Sequence, residues 1–152
     1  MDLDSIDRRI LDALQAEGRL SNQDLSARAS LSPSACHRRV QRLEAEGFIR
    51  GYVALLDPRR LGRLTTVFVE ITLEGQADET LDAFERAVAR VPEVLECHLM
   101  AGSADYLLKV LARDTEDFAR IHRRSLATLP GVRGLQSSFA LRTVRQTTAL
   151  PV

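Results

Sequence analysis

Three things most enzymes rely on are missing from this chain. Its 152 residues hold no Gly-rich phosphate loop, no serine or cysteine nucleophile beside a matched histidine, and no convergent pair of carboxylates. Long hydrophobic runs are absent too: none approaches the roughly 18 residues of a membrane span. Nothing at the N-terminus resembles a charged region followed by an apolar signal stretch, so a cytoplasmic protein without a membrane partner is expected. Cysteine is scarce, with Cys36 and Cys97 each inside an apolar pattern. The pairs Cys36-His37 and Cys97-His98, with His122, repeat no zinc spacing. Neighbours in sequence point to opposite faces of a strand, or about 100° apart on a helix. No metal and no other cofactor is expected. Net charge is also lacking, with 21 cationic residues against 21 carboxylates, which excludes a protein held on nucleic acid by overall charge alone.

What is present is a composition of 45% hydrophobic and 28% charged residues, enough to bury the cores of one or two small domains. Charge is weakly polarised: residues 1–64 carry 11 arginines against nine carboxylates. Ile6, Ile10, Leu11 and Leu14 form an amphipathic stripe after Asp4-Ser5, predicting a helix to about Glu17 that Gly18 ends. Ser21 then caps a second helix, with Asp24 at its third position. Ser32-Pro33 opens a third, because a proline at the first helical position loses no hydrogen bond and already has helical φ.

On the third helix Cys36, Val40 and Leu43 make one apolar stripe, while Ser34, His37, Arg38 and Gln41 lie on other faces and Arg39 and Arg42 flank it. A major-groove helix needs this division, one stripe packing on partner helices and polar side chains reaching bases and phosphates. A solvated basic face on an ordinary three-helix unit fits the pattern as well. The candidate DNA-binding residues are Ser21, Asn22, Ser32, Ser34, His37, Arg38, Arg39, Gln41 and Arg42, with His37 and Arg38 placed as base readers and Arg39 and Arg42 as phosphate contacts. Phe48 to Leu56 is expected to be a small wing or a connector, and Asp57 to Arg63 a polar, turn-forming boundary.

From Thr65 the pattern turns to period two, with Val67, Val69, Ile71 and Leu73 opposite Phe68, Glu70 and Thr72. A helix with Leu81, Phe84, Val88 and Val91 follows, ended by Pro92. Next come strands from Val94 to Met100 and from Tyr106 to Leu111. A helix begins at Asp114 or Thr115, with Phe118, Ile121 and Leu126 inward, and closes at Pro130-Gly131. The last strand covers about Val132 to Arg142. The order β-α-β-β-α-β is the ferredoxin-like arrangement, with both helices on one sheet face. The expected fold is thus α+β: a winged helix-turn-helix domain over residues 1–56, a linker over 57–64 and a ferredoxin-like βαββαβ domain over 65–152. Phe68, Val94, Met100, Leu107, Leu111 and Phe139, or their strand neighbours, make the other face too apolar for water. Pairing with a second copy is therefore expected. A symmetric dimer would present two reading helices to a pseudo-palindromic operator on double-stranded DNA.

Several stretches are similar to the Lrp/AsnC family of feast/famine regulators: Leu3-Asp4-Ser5-Ile6-Asp7, Gly18-Arg19-Leu20-Ser21-Asn22, Leu31-Ser32-Pro33, Arg39-Val40-Gln41-Arg42-Leu43-Glu44 and Gly47-Phe48-Ile49. Downstream the match continues in Phe68-Val69-Glu70-Ile71, Glu96-Cys97-His98-Leu99, Gly102, Asp105-Tyr106-Leu107-Leu108-Lys109 and Leu129-Pro130-Gly131-Val132. The resemblance implies a regulator that responds to an amino-acid effector, here favoured to be apolar and leucine-like, and dimers that often assemble to octamers. It also implies an effector site between dimers, near Met100, Gly102, Ala104, Asp105 and Tyr106, with Gln136, Ser137 and Ser138 close by. The chemistry is reasonable: Gly102 lets backbone amides approach a carboxylate, Asp105 can pair with an ammonium, and Ser137 offers a hydroxyl. A plain hairpin turn at Gly102-Asp105 is the alternative. Two other functions stay open, an effector-independent DNA-packing protein of the same fold and an amino-acid-binding regulatory subunit of an enzyme.

Overall fold

In the computed structural model, which describes residues 2–152, the chain divides into two compact units. One ends at Leu55 and takes in Val144–Val152, and the other is Leu56–Thr143.

Three helices build the first unit: α1 (Ser5–Ala16), α2 (Asn22–Ala29) and α3 (Pro33–Ala45). Each starts where a side chain satisfies an orphan amide. Asp4 accepts from the amides of Ile6 and Asp7, and Asp7 reaches back to the Asp4 amide, a complete capping box. Ser21 and Ser32 cap α2 and α3 by accepting from Asp24 and Ala35. Between α2 and α3 the turn is made by Ser30, a non-glycine residue in the left-handed region at φ 57°, followed by a bond from the Leu31 amide to the Ser26 carbonyl. Gly47, at φ 77°, ends α3 and lets the Ile49 amide return to the Leu43 carbonyl. Ile10, Leu11, Leu25, Ala29, Cys36 and Leu43 form the core. Cutting a fully buried leucine such as Leu43 to alanine would cost about 2–5 kcal/mol.

Among the described residues, 48–56 form no paired strand. The segment is an exposed extended stretch in which the Tyr52 hydroxyl donates to Glu44 at 3.1 Å. The tail beyond Thr143, assigned from sequence to the second domain, packs with the first unit instead. Having no strand to pair with, its backbone closes on the Gln15 amide, from Gln15 Nε2 to the Leu150 carbonyl at 3.0 Å and from the Leu150 amide to Gln15 Oε1 at 2.6 Å.

The second unit begins at Leu56, nine residues earlier than the pattern suggested, because the turn after Asp57 belongs to it. Its elements are β1 (Thr65–Leu73), α4 (Asp78–Val88), β2 (Val94–Leu99), β3 (Tyr106–Ala112), α5 (Thr115–Ile121), a π-helical turn (His122–Leu126) and β4 (Val132–Phe139). The strands form one antiparallel sheet in the order β2-β3-β1-β4. Helices cover the face carrying Val67, Val69, Ile71, Leu73, Tyr106, Leu108, Val110 and Ala112, all buried. Phe84 meets Tyr106 with ring centroids 4.5 Å apart, and Phe118 meets Phe139 edge-on at 5.3 Å. Gly131 closes the turn into β4 at φ 72°, where an added Cβ would come within 2.9 Å of Thr80.

The open face differs from the expectation in several respects. Phe68, Leu107 and Leu111 lie on it, but Phe139 pairs across from Val67 and Val94 packs on the core, both on the helix side. Met100 falls just beyond β2. In the same layer as Phe68 stand Glu70, Glu96, His98 and Lys109, with Lys109 Nζ 2.8 Å from Glu96 Oε1, so the face is mixed rather than wholly apolar.

Candidate nucleic-acid interface and effector turn

On α3 the apolar stripe turns inward, with Cys36 and Leu43 fully buried and Val40 partly so. Burial raises the Cys36 thiol above its ordinary range, which suits a packing role rather than a reactive one. His37, Arg38, Gln41 and Ser34 are exposed. They form the side of α3 free to meet a duplex. Ser21 and Ser32 spend their side chains on helix caps, and the Asn22 amide donates to the Pro33 carbonyl at 2.9 Å, tying the start of α2 to the start of α3.

Arg39 and Arg42 are placed differently from the sequence expectation. Arg39 Nη1 lies 2.7 Å from Asp4 and 2.8 Å from Asp7, and Arg42 Nη2 spans both Asp7 oxygens at 2.8 and 2.7 Å. Asp7 itself is only 1% exposed. These two guanidiniums neutralise carboxylates of α1 and fix α3 across it. The Asp7 amide and the Arg39 guanidinium also hold the Asp4 carboxyl down, at about 2. Asp7 is the residue that reading α3 alone could not find, although its position three after the Asp4 cap was the available signal.

In the second unit Met100, Gly102, Ala104 and Asp105 gather at the β2–β3 turn, where the Met100 amide donates to the Asp105 carbonyl at 2.8 Å. The Asp105 carboxylate is already engaged. It accepts from the Leu73 amide at 2.7 Å and from Gln76 Nε2 at 2.9 Å, and these bonds, with the Arg133 charge, lower its pKa. Gln76 and Arg133 are therefore part of this turn's chemistry, and neither stood out in the sequence. Tyr106 does not join the site. It is buried on the helix side with its hydroxyl 2.7 Å from Glu85, and burial is the main cause of its raised pKa. Ser137 also faces the helix side, whereas Gln136 and Ser138 are exposed on the open side of β4. Since β1 lies between β3 and β4, one chain does not bring the eight residues into a single pocket.

Elsewhere in this unit a hollow of about 360 Å³ opens between α4 and β2, lined by Glu85, Val88, Leu95, Cys97, Leu99 and Tyr106. Burial there pushes the Cys97 thiol up to about 11. Among the described residues no group of three His, Cys, Asp or Glu side chains is placed to hold a metal ion. Among the same residues, no helix is long and apolar enough to cross a membrane.

Comparison with known proteins agrees with this two-part build. Residues 3–50 match the winged helix-turn-helix DNA-binding family, and residues 66–150 match the Lrp/AsnC ligand binding domain. The chain is 44% identical over 151 residues to the leucine-responsive regulatory protein of Escherichia coli K12, covering 99% of this chain and 92% of that one. A transcriptional regulator of Neisseria meningitidis, solved in complex with L-methionine, superposes with a TM-score of 0.93 at 39% identity, covering 99% and 97%. An AsnC family transcriptional regulator from Agrobacterium tumefaciens does so with a TM-score of 0.94 at 38% identity, covering 98% and 97%.

Proposed function

The chain belongs to the Lrp/AsnC family of DNA-binding transcriptional regulators, and on that premise we propose that its effector is a small amino acid with an apolar side chain, leucine or methionine first. The observation that carries this reading is the L-methionine complex of the Neisseria regulator, which shares the fold over nearly the whole chain. The β2–β3 turn is the proposed binding place. There Gly102 leaves room for a carboxylate beside backbone amides, and Arg133 and Asp105 offer the two charges an amino acid's backbone needs. Gln136 and Ser138 would come from a second copy or a rearranged turn. Tyr106 and Ser137 act behind the site by fixing the strands.

The same reading makes the protein a regulator rather than an enzyme subunit, acting in the cytoplasm where its operator is. Two copies joined through the open sheet face, with Phe68, Leu107 and Leu111 covered, would carry two α3 helices to a pseudo-palindromic site, and larger assemblies up to octamers extend that plan. His37, Arg38 and Gln41 are the proposed base readers.

A thermal-shift screen against the twenty amino acids tests the effector. A ligand that binds only the folded state at a hundredfold excess over its Kd adds about 2.7 kcal/mol of stability, so leucine or methionine should raise Tm by several degrees. Asp105→Asn, which keeps an acceptor for the Leu73 amide and removes the charge, should need about tenfold more effector. If none of the twenty shifts Tm, the amino-acid reading fails.

A further inference from the structure

The side chain of Asp117, at the third position of α5, is 1% exposed. Its amide is capped by Asp114 Oδ1 at 2.7 Å, and its own carboxylate accepts from the Arg113 amide at 3.0 Å. Three guanidiniums converge on that one carboxylate: Arg120 pairs with it directly, Arg113 lies at 3.2 Å and Arg63 at 3.7 Å. One negative charge needs one cation. The other two guanidiniums are surplus, and like charges gathered this closely repel unless something anchors them.

The anchored side chains also remain available, since Arg63, Arg113 and Arg120 keep 40%, 61% and 42% of their side-chain surface. A guanidinium carries five N–H donors in a planar fork, and contacts with Asp117 use only a part of them. Asp114 and Glu116 on the first turn offset some of the charge, while Arg123 and Arg124 follow, both exposed. Residues 113–124 together with Arg63 count five arginines and three carboxylates, and of the arginines Arg63, Arg113 and Arg120 reach Asp117.

We propose that this cluster is a phosphoryl-binding site on the second unit, with Arg113 and Arg120 as direct donors and Asp117 as the positioning residue. Forked guanidiniums match phosphate oxygens two at a time, and a buried carboxylate behind them fixes their planes before the anion arrives. The phosphoryl group comes either from a DNA backbone or from a free polyphosphate. Nothing in the α3 face or the β2–β3 turn is needed for it.

Full-length wild type is compared with Arg113→Gln/Arg120→Gln and with Arg86→Gln/Arg90→Gln, which removes the same charge from α4 and the residues after it. Melting is followed in sodium pyrophosphate against sodium chloride at equal ionic strength, and binding to random-sequence duplex is followed across a salt series. If the source is free polyphosphate, pyrophosphate raises Tm of wild type and the α4 variant, while the cluster variant needs about tenfold more. If it is DNA, the cluster variant alone has a log K against log salt slope shallower by about one to two. Arg113→Gln on its own leaves the Asp117–Arg120 pair in place and gives the same readouts at reduced size if the double variant does not fold. The proposal is overturned if the cluster variants match wild type in both assays, or if the α4 variant loses as much.

Discussion

Each unit buries an aspartate at the third position of a helix and surrounds it with arginines, yet the two clusters differ in balance. At Asp7 two guanidiniums meet two carboxylates, because Asp4 shares Arg39, and the charge closes on itself. Around Asp117, one carboxylate meets three guanidiniums and charge is left over. Position in sequence gave the opposite impression, since Arg39 and Arg42 sit on α3, the proposed reading helix, while Arg113 and Arg120 lie far from it along the chain. An arginine's location on a helix tells which way it starts out; what it meets 30 residues away decides whether it is free to bind anything else.

The comparison breaks most visibly at Asp7. Replacing it with alanine leaves Arg42 without its carboxylate and Arg39 with Asp4 alone, and removing one partner of a buried pair typically costs about 3–5 kcal/mol. Denaturant unfolding of Asp7→Ala should show a loss of that size, and a loss below about 1 kcal/mol would mean the cluster is ornamental. Arg42→Ala should cost less, about 1–3 kcal/mol, because its side chain is 40% exposed and water can take up part of the imbalance. Its Nε already lacks a partner, which limits what the wild-type pair contributes.

A smaller effect separates the turn from the clusters. Ser30 holds a left-handed conformation that glycine adopts freely, so Ser30→Gly should be neutral to stabilising by about 0.5 kcal/mol, as read by melting. A clear loss would show that the Ser30 side chain contributes something its geometry does not reveal.

The subtlest test is acid. Asp4 titrates at about 2 and Asp117 below the usual carboxylate range, both lower than in the unfolded chain. A depressed carboxyl stabilises the fold above its unfolded pKa and loses that contribution as pH falls through the folded value. Stability should hold down to about pH 4 and decline from there through pH 2 and below, and Asp4→Asn should flatten the first part of that decline. An equal slope in Asp4→Asn and wild type would contradict the hold that the Asp7 amide and the Arg39 guanidinium have on the Asp4 carboxyl.

How much of this was legible in the sequence depends on the range of the interaction involved. Helix starts at Asp4, Ser21 and Ser32 are local events, and cap residues specify them within a turn. The α3 stripe and the alternation along β1 are also local, so the two-unit fold could be read. What sequence missed needed pairing across distance. Arg39 and Arg42 look free until Asp7 is folded against them. Val94 was misplaced because β2 is irregular between Val94 and Glu96, and one extra residue moves side chains to the other face. Phe139 and Tyr106 could have been placed correctly, since each continues a period of two, Leu135-Ser137-Phe139 and Tyr106-Leu108-Val110. Asp105 was legible as a charged turn residue, but its bonds to Leu73 and Gln76 were not.

The division of labour on α3 shows most directly in the salt dependence of binding to a selected operator and to random duplex, for wild type, Arg38→Ala and Arg42→Ala, each below its own Tm. Arg38→Ala should lose about 1–3 kcal/mol of preference for the operator, while Arg42→Ala should melt lower but keep both the preference and the salt slope. An Arg42→Ala protein with wild-type Tm and a slope shallower by about one would place Arg42 on phosphate and contradict that division of labour.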